Sequence, residues 1–133
     1  MPEVKIVNVT KRYGSIVAND RISLTIKDKE YVSVIGPSGC GKTTLIKSIA
    51  GIIEPDEGEI YIDGRLVNKV PIEDREIGYV FQNIALFPHM TVWDNITYGP
   101  KVKGHPREET ESIAREMIEM ITVSYTHLTL PTN

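Results

Sequence analysis

The sequence predicts an α/β fold with a β-rich N-terminal portion. VKIVNV (4–9) and ISLTIK (22–27) alternate apolar and polar residues, as half-buried strands do. YVSVI (31–35) is almost continuously apolar and β-branched, the pattern of a strand covered on both faces. Directly after it comes the glycine-studded stretch GPSGCGKTT (36–44), which leads into a segment of helical periodicity.

That segment, from Lys42, places Leu45, Ile46, Ile49, Ile52 and Ile53 near helical spacing. Gly51 and then Pro55 supply the stop signal. PDEG (55–58) is turn chemistry, and EIYIDG (59–64) reads as a short strand ending in a second turn. IGYVF (77–81) is a further apolar strand candidate, with Gln82 just beyond it. TVWDNITYG (91–99) is a candidate short helix. PREETESIAREMIEMI (106–121) is a stronger one, with Pro106 near its first turn and acidic residues just after. Ile113, Met117 and Ile121 fall on one face of it, joined by Ala114 and Ile118.

At 133 residues the chain is one domain or part of a larger one. Its hydrophobic share of 41% and charged share of 25% are those of an ordinary globular protein. A net charge of −3 argues against nucleic acid as a partner, which calls for a basic surface. Cys40 is the single cysteine, so no internal disulfide forms, and a reducing compartment suits the chain. MPEVKIVNV lacks the charged start and apolar core of a signal peptide. No stretch approaches the roughly 18 to 20 apolar residues that cross a bilayer. The expectation is a cytoplasmic protein that meets a membrane only through a partner.

The tail departs from this pattern. Glu119 is the last charged residue, and VSYTHLTLPTN (123–133) has no helical periodicity although it follows an unfinished helix. Its first ten residues match the translation of a transposase adapter used in sequencing libraries. The predicted division is therefore 1–122 as native sequence and 123–133 as non-native, excluded from fold reasoning.

Gly36, Gly41, Lys42 and Thr43 meet the pattern G-x-x-x-x-G-K-[ST] in full. Its physics is anion binding. A tight glycine turn lets successive backbone N–H groups wrap a phosphate without Cβ obstruction. The helix that starts near Lys42 adds its unpaired N–H groups and positive dipole end. Gly36, Ser38, Gly39, Cys40, Gly41, Lys42, Thr43 and Thr44 are thus the candidate nucleotide-binding set. Lys42 can place a cation between the β- and γ-phosphates, and the Thr43 hydroxyl can coordinate Mg²⁺. A purely structural glycine turn with an exposed lysine is the alternative, and the strand–loop–helix context disfavours it. Cys40 is most simply a small spacer that contributes its N–H.

The variant GPSGxGK[ST] is similar to two families, guanylate kinases and the ATP-binding subunits of ABC transporters. Guanylate kinases start almost at this loop, whereas here 35 residues precede it. VTKRYG (9–14) resembles the A-loop of the ABC ATPases, whose aromatic stacks on adenine, which makes Tyr13 the candidate. SLTIKDKEYVSVIGPSGCGKTTLIKSIAGIIEPDEGEIYIDG continues the likeness. IGYVFQNIALFPHMTVWDNITYG (77–99) resembles the Q-loop region and the segment that touches the permease. The likeness covers residues 3 to 121 and is nearest to importers of the maltose, polyamine and ferric-iron type.

The resemblance implies a P-loop NTPase fold with an ABC ATPase-type core, an N-terminal antiparallel β subdomain and a chain truncated within the helical subdomain. It implies ATP and Mg²⁺ as cofactors. Lys42 and Gln82 become the candidate catalytic residues, and Thr43 and Gln82 the candidate metal contacts. The implied partners are a second ATPase subunit, identical or paralogous, transmembrane permeases reached through residues 85–99, and indirectly a solute-binding protein. The implied location is the inner face of the cell membrane, and the expected solute is a sugar or polyamine. His89, a lone histidine in the 85–99 region, is read as structural. The family's LSGGQ signature, Walker B Asp–Glu pair and switch histidine are not found in the sequence. The parent protein is therefore expected to be an ATPase, and the chain as it stands a poor hydrolase or none. A guanylate kinase and a non-hydrolysing nucleotide-binding module are the alternatives.

Overall fold

The computed structural model describes residues 2–83 and 85–124. The chain divides into two compact units, Met1–Tyr79 and Val80–Asn133.

In the first unit β1 (Val4–Tyr13) and β2 (Ile16–Ile26) form a long antiparallel hairpin. Each is longer than the alternation alone predicts, because polar residues such as Thr10, Asn19 and Arg21 sit at its tip. The turn between Tyr13 and Ile16 is tight, and Gly14 takes φ 60° there, a conformation that favours glycine. β3 (Glu57–Ile62) pairs antiparallel with the other edge of β1, and the short β4 (Arg65–Leu66) pairs with β3. The order among the described residues is β2-β1-β3-β4. This bears out the antiparallel N-terminal β portion.

Both ladders on β1 slip next to Asn8, a left-handed residue at φ 48°. Gly58 of β3 lies against the Asn8 carbonyl so closely that a side chain there would overlap it. The resulting bulge keeps Ile6 and Val9 on the same buried side despite their odd spacing. They pack with Ile60, Ile62 and Val67 from the sheet region and with Leu45 from helix α1 (Lys42–Ala50). Full burial of each such side chain contributes about 1.5–3 kcal/mol.

α1 ends as its sequence predicts. Gly51 adopts φ 90°, and the N–H groups of Gly51 and Ile52 close back on the Lys47 carbonyl.

Two expected strands do not form. Residues 31–35 and 77–81 take no strand pairing, and Tyr31 and Ile35 are 92% and 91% exposed while Val80 is 89% exposed. An apolar β-branched run records what a strand interior tolerates, but a strand exists only with neighbours on its edges and faces.

In the second unit, helices α2 (Val92–Val102) and α3 (Arg107–Ser124) pack through Thr97, Thr110 and Ala114, all buried. Thr91 caps α2: its Oγ1 accepts from the Asp94 N–H at 3.1 Å and donates to the Asp94 carboxylate at 2.9 Å. Those bonds, with Lys101, hold the Asp94 carboxyl below its ordinary range. Asn95 braces the preceding loop, accepting from the Phe87 N–H at 2.9 Å and donating to the Thr91 carbonyl at 2.9 Å. α2 runs three residues beyond the expected 99 and contains Pro100. α3 runs through Ser124, past the predicted boundary at 122; residues 125–133 of the predicted non-native tail lie outside the described residues.

Candidate nucleotide-binding site

The glycine loop folds as the motif requires. The Cys40 N–H donates to the Pro37 carbonyl at 3.3 Å, closing a turn, and Gly39 and Gly41 take φ 79° and 94°. Both values lie where a Cβ is strained. Gly36 is constrained by space instead, since a Cβ there would lie 2.6 Å from the Cys40 sulfur.

Gly41 is the N-cap of α1, and no side chain caps that end. The first N–H groups of a helix have no partner within it, so α1 presents them, with its positive dipole end, at the loop. The Leu45 N–H donates to the Gly41 carbonyl at 3.0 Å, the bond that starts the helix.

The Lys42 ammonium folds back over the loop. It donates to the Gly36 carbonyl at 2.5 Å and the Pro37 carbonyl at 2.7 Å, and lies 3.5 Å from the Cys40 sulfur. Thr43 is exposed beside it. The Thr44 carbonyl, one turn into the helix, accepts from the Ser48 hydroxyl at 2.9 Å. The structure therefore brings Gly36, Ser38, Gly39, Cys40, Gly41, Lys42, Thr43 and Thr44 together in one loop and helix start. Uncapped N–H groups, left-handed glycines and a flexible ammonium fit a polyphosphate. Among the described residues no cluster of three or more His, Cys, Asp or Glu converges to hold a metal.

Sequence reasoning missed what anchors the loop. Asn19 of β2 is 3% exposed, and its side-chain N–H₂ donates to the carbonyls of Gly41 and Ala18, each at 3.0 Å. The reverse amide orientation would face its oxygen against two carbonyl oxygens, so this one is fixed. A Cβ on Gly41 would overlap the Ala18 carbonyl oxygen. Nothing marks Asn19 in the sequence, where one polar residue in a strand reads as solvated.

Tyr13 stands at the end of β1, 46% exposed, with the Lys11 ammonium 5.4 Å from its ring centroid. Lys11 faces Asn19 across the hairpin and Tyr13 faces Ile16. Three residues of strand, on the order of 10 Å, thus separate the tyrosine's partner from the residue that grips the loop. Gln82 is exposed in the second unit, in a bend of the 80–91 loop. His89 lies in the same loop, its ring edge-on to Phe87 at 6.0 Å.

A family model described as ABC transporter matches residues 19–130. The chain belongs to the ABC transporter family. Guanylate kinase is set aside on that ground. The ABC match runs past residue 122 into the segment predicted as non-native. The chain is 47% identical over 118 residues to the Fe(3+) ions import ATP-binding protein FbpC of Escherichia coli K12, covering 89% of this chain and 34% of that protein. It is 45% identical over 127 residues to the trehalose/maltose import ATP-binding protein MalK of Thermococcus litoralis, covering 91% and 34%. It is 44% identical over 124 residues to the spermidine/putrescine import ATP-binding protein PotA of Acidothermus cellulolyticus, covering 90% and 32%. The chain thus spans about a third of the length of these ABC relatives. Among solved structures, the dimeric post-hydrolysis state of the ATP-binding cassette MJ0796 bound to ADP and Pi matches with TM-score 0.77 at 35% identity. That match covers 88% of this chain and 56% of the other. The fold is that of an ABC ATPase cassette.

The Ala18–Gly41 contact carries a direct consequence. Gly41→Ala should weaken nucleotide binding about tenfold or more and lower stability by about 1–3 kcal/mol, from the strained φ and the displaced carbonyl. Gly64→Ala shares the positive φ, 76°, but has open space around its missing Cβ. It should lower stability without changing affinity. Titration with a fluorescent ATP analogue, alongside denaturant unfolding of both variants, checks this.

Proposed function

We propose that this chain is the ATP-binding part of an ABC-type ATPase that drives solute import through membrane permeases. The observation that carries the reading is the uncapped N-terminus of α1, joined to left-handed glycines and to Lys42. ATP with Mg²⁺ supplies the transferable γ-phosphoryl group. The chain's own residues bind and orient. The N–H groups of Gly39, Gly41, Lys42, Thr43 and Thr44 would donate to phosphate oxygens, with the Cys40 N–H already held by the Pro37 carbonyl, and Lys42 would exchange the Gly36 and Pro37 carbonyls for the phosphates. Thr43 offers its hydroxyl to Mg²⁺, and the half-exposed Tyr13 ring stacks on adenine. Gln82 is assigned, from its place in the family's motif, to the metal and the attacking water.

The partners follow from the same reading: a second ATPase subunit, and permeases reached through residues 85–99. A solute-binding protein acts through the permeases, and the chain sits in the cytoplasm against the membrane. No helix among the described residues is long and apolar enough to cross a membrane, so attachment through permeases is consistent. The relatives' printed solutes are ferric ions, trehalose/maltose and spermidine/putrescine, at 44–47% identity. The expectation of a sugar or polyamine is accordingly widened to include ferric ions.

The chain is read as residues 1–122 of a longer ATPase followed by non-native sequence, and as inactive in hydrolysis by itself. The chain's coverage of about a third of its relatives' length supports the first part of this reading. Sequencing the source DNA across the codons for residues 115–133 and onward checks it. A frame that leaves VSYTHLTLPTN and continues to an LSGGQ supports the reading, and the same tail followed by a stop codon refutes it.

In the full-length parent, Lys42→Ala should abolish ATP hydrolysis, and retained turnover would sink the P-loop assignment. Tyr13→Ala should weaken ATP about 5- to 150-fold, the loss of one base stack. Unchanged affinity would remove Tyr13 from the site.

A further inference from the structure

Arg75 opens the run REIGYVFQ (75–82), which leads into Gln82 and belongs to the Q-loop likeness, and it stands among the acidic residues Glu73, Asp74 and Glu76. In the structure it is 6% exposed. It follows the 3-10 turn Ile72–Asp74, and its guanidinium meets four backbone carbonyls. Nε donates to Val70 at 2.9 Å, Nη1 to Ser48 at 3.1 Å and to Ile49 at 3.0 Å, and Nη2 reaches Asn68 at 3.4 Å. Among the described residues no carboxylate forms an ion pair with it, and burial pulls its pKa down while Glu54 opposes that shift.

Ser48 and Ile49 lie in the last turn of α1, where carbonyls are under-satisfied, the Ser48 carbonyl taking a 3.3 Å bond from the capping Gly51 N–H, and the dipole is negative. A planar cation there satisfies both needs, and the fork spans two carbonyls at once. The fit is close, since a Cβ on Gly51 would lie 2.7 Å from the Arg75 Nε. The contact extends along the helix. Arg75 donates to the Ser48 carbonyl, and the Ser48 hydroxyl donates to the Thr44 carbonyl at 2.9 Å. Thr44 belongs to the nucleotide-binding set at the other end of a nine-residue helix. Asn19 grips the Gly41 end of that helix and Arg75 the Ser48–Ile49 end.

We propose that Arg75 is a positioning residue for nucleotide binding: by fixing the C-terminal turn of α1 it sets the direction in which Lys42–Thr44 meet the phosphates. The inference rests on the P-loop reading above. It needs the fork rather than the charge alone. A lysine keeps the cation but cannot span the Ser48, Ile49 and Val70 carbonyls with fixed geometry.

The test compares the full chain with Arg75→Lys, Arg75→Ala and Ala114→Gly, a buried-site variant on α3 of the second unit, each at a temperature where it is fully folded. The first readout needs no nucleotide: backbone amide shifts of Lys42, Thr43 and Thr44. They should move in Arg75→Lys and stay in place in Ala114→Gly. The second readout is affinity for a fluorescent ATP analogue. Arg75→Lys should bind about tenfold more weakly, and Arg75→Ala weaker still if it folds, while folded Ala114→Gly binds as wild type. Unmoved amide shifts, or wild-type affinity in Arg75→Lys, overturn the inference. So does an affinity loss in Ala114→Gly equal to that in Arg75→Lys. If the unmodified chain binds no nucleotide, the P-loop reading fails, and the nucleotide-free shifts still decide whether Arg75 sets the geometry of Lys42–Thr44.

Discussion

The close approach of Gly41 to the Ala18–Asn19 backbone governs the site. At this point a helix start meets a sheet, and the meeting is tight enough to exclude any side chain on Gly41. The Asn19 amide bonds across it. Because the contact joins α1 to β2, the loop is held at its far end by a hairpin whose other strand is central in the sheet. The chain can then leave the uncapped N–H groups of α1 facing outward. A backbone that exposes unpaired donors is stable only when neighbouring structure keeps it from relaxing.

Ligand recognition and core packing therefore meet in one element. α1 buries Leu45 among Ile6, Val9 and Ile60, offers its N-terminus to an anion, and has its C-terminus neutralised by Arg75. The second unit follows a different economy. It is tied together by backbone capping, through Thr91 and Asn95, and by the buried small residues Thr97, Thr110 and Ala114. It leaves Leu86, Val92, Val102 and Ile121 exposed.

How legible each part was in the sequence follows the range of the forces involved. The loop was readable in full, because left-handed glycines, a cationic side chain and a helix start are local chemistry written in nine consecutive residues. The end of α1 was nearly as clear at Gly51, where the cap acts over three or four residues, whereas the capping role of Thr91 was not read and only the place of its helix was. The hairpin was half readable, since Thr10–Arg21 departs from alternation yet pairs all the same. The segments 31–35 and 77–81 misled, because an apolar pattern states a requirement for neighbours and cannot show that they exist. Asn19 was invisible, as its partner on the loop lies more than 20 residues away in the chain, and Arg75 was legible only as the start of the REIGYVFQ run, since its contacts with α1 are equally distant in sequence.

The most direct test of the central claim, that this loop is built for a nucleotide, is a backbone amide NMR titration of the chain with ATP. The account predicts saturable shifts concentrated at Gly36–Thr44, with smaller ones at Tyr13, and the same pattern with ADP. Absence of saturable shifts in the loop, or shifts spread over surface lysines elsewhere, would contradict it.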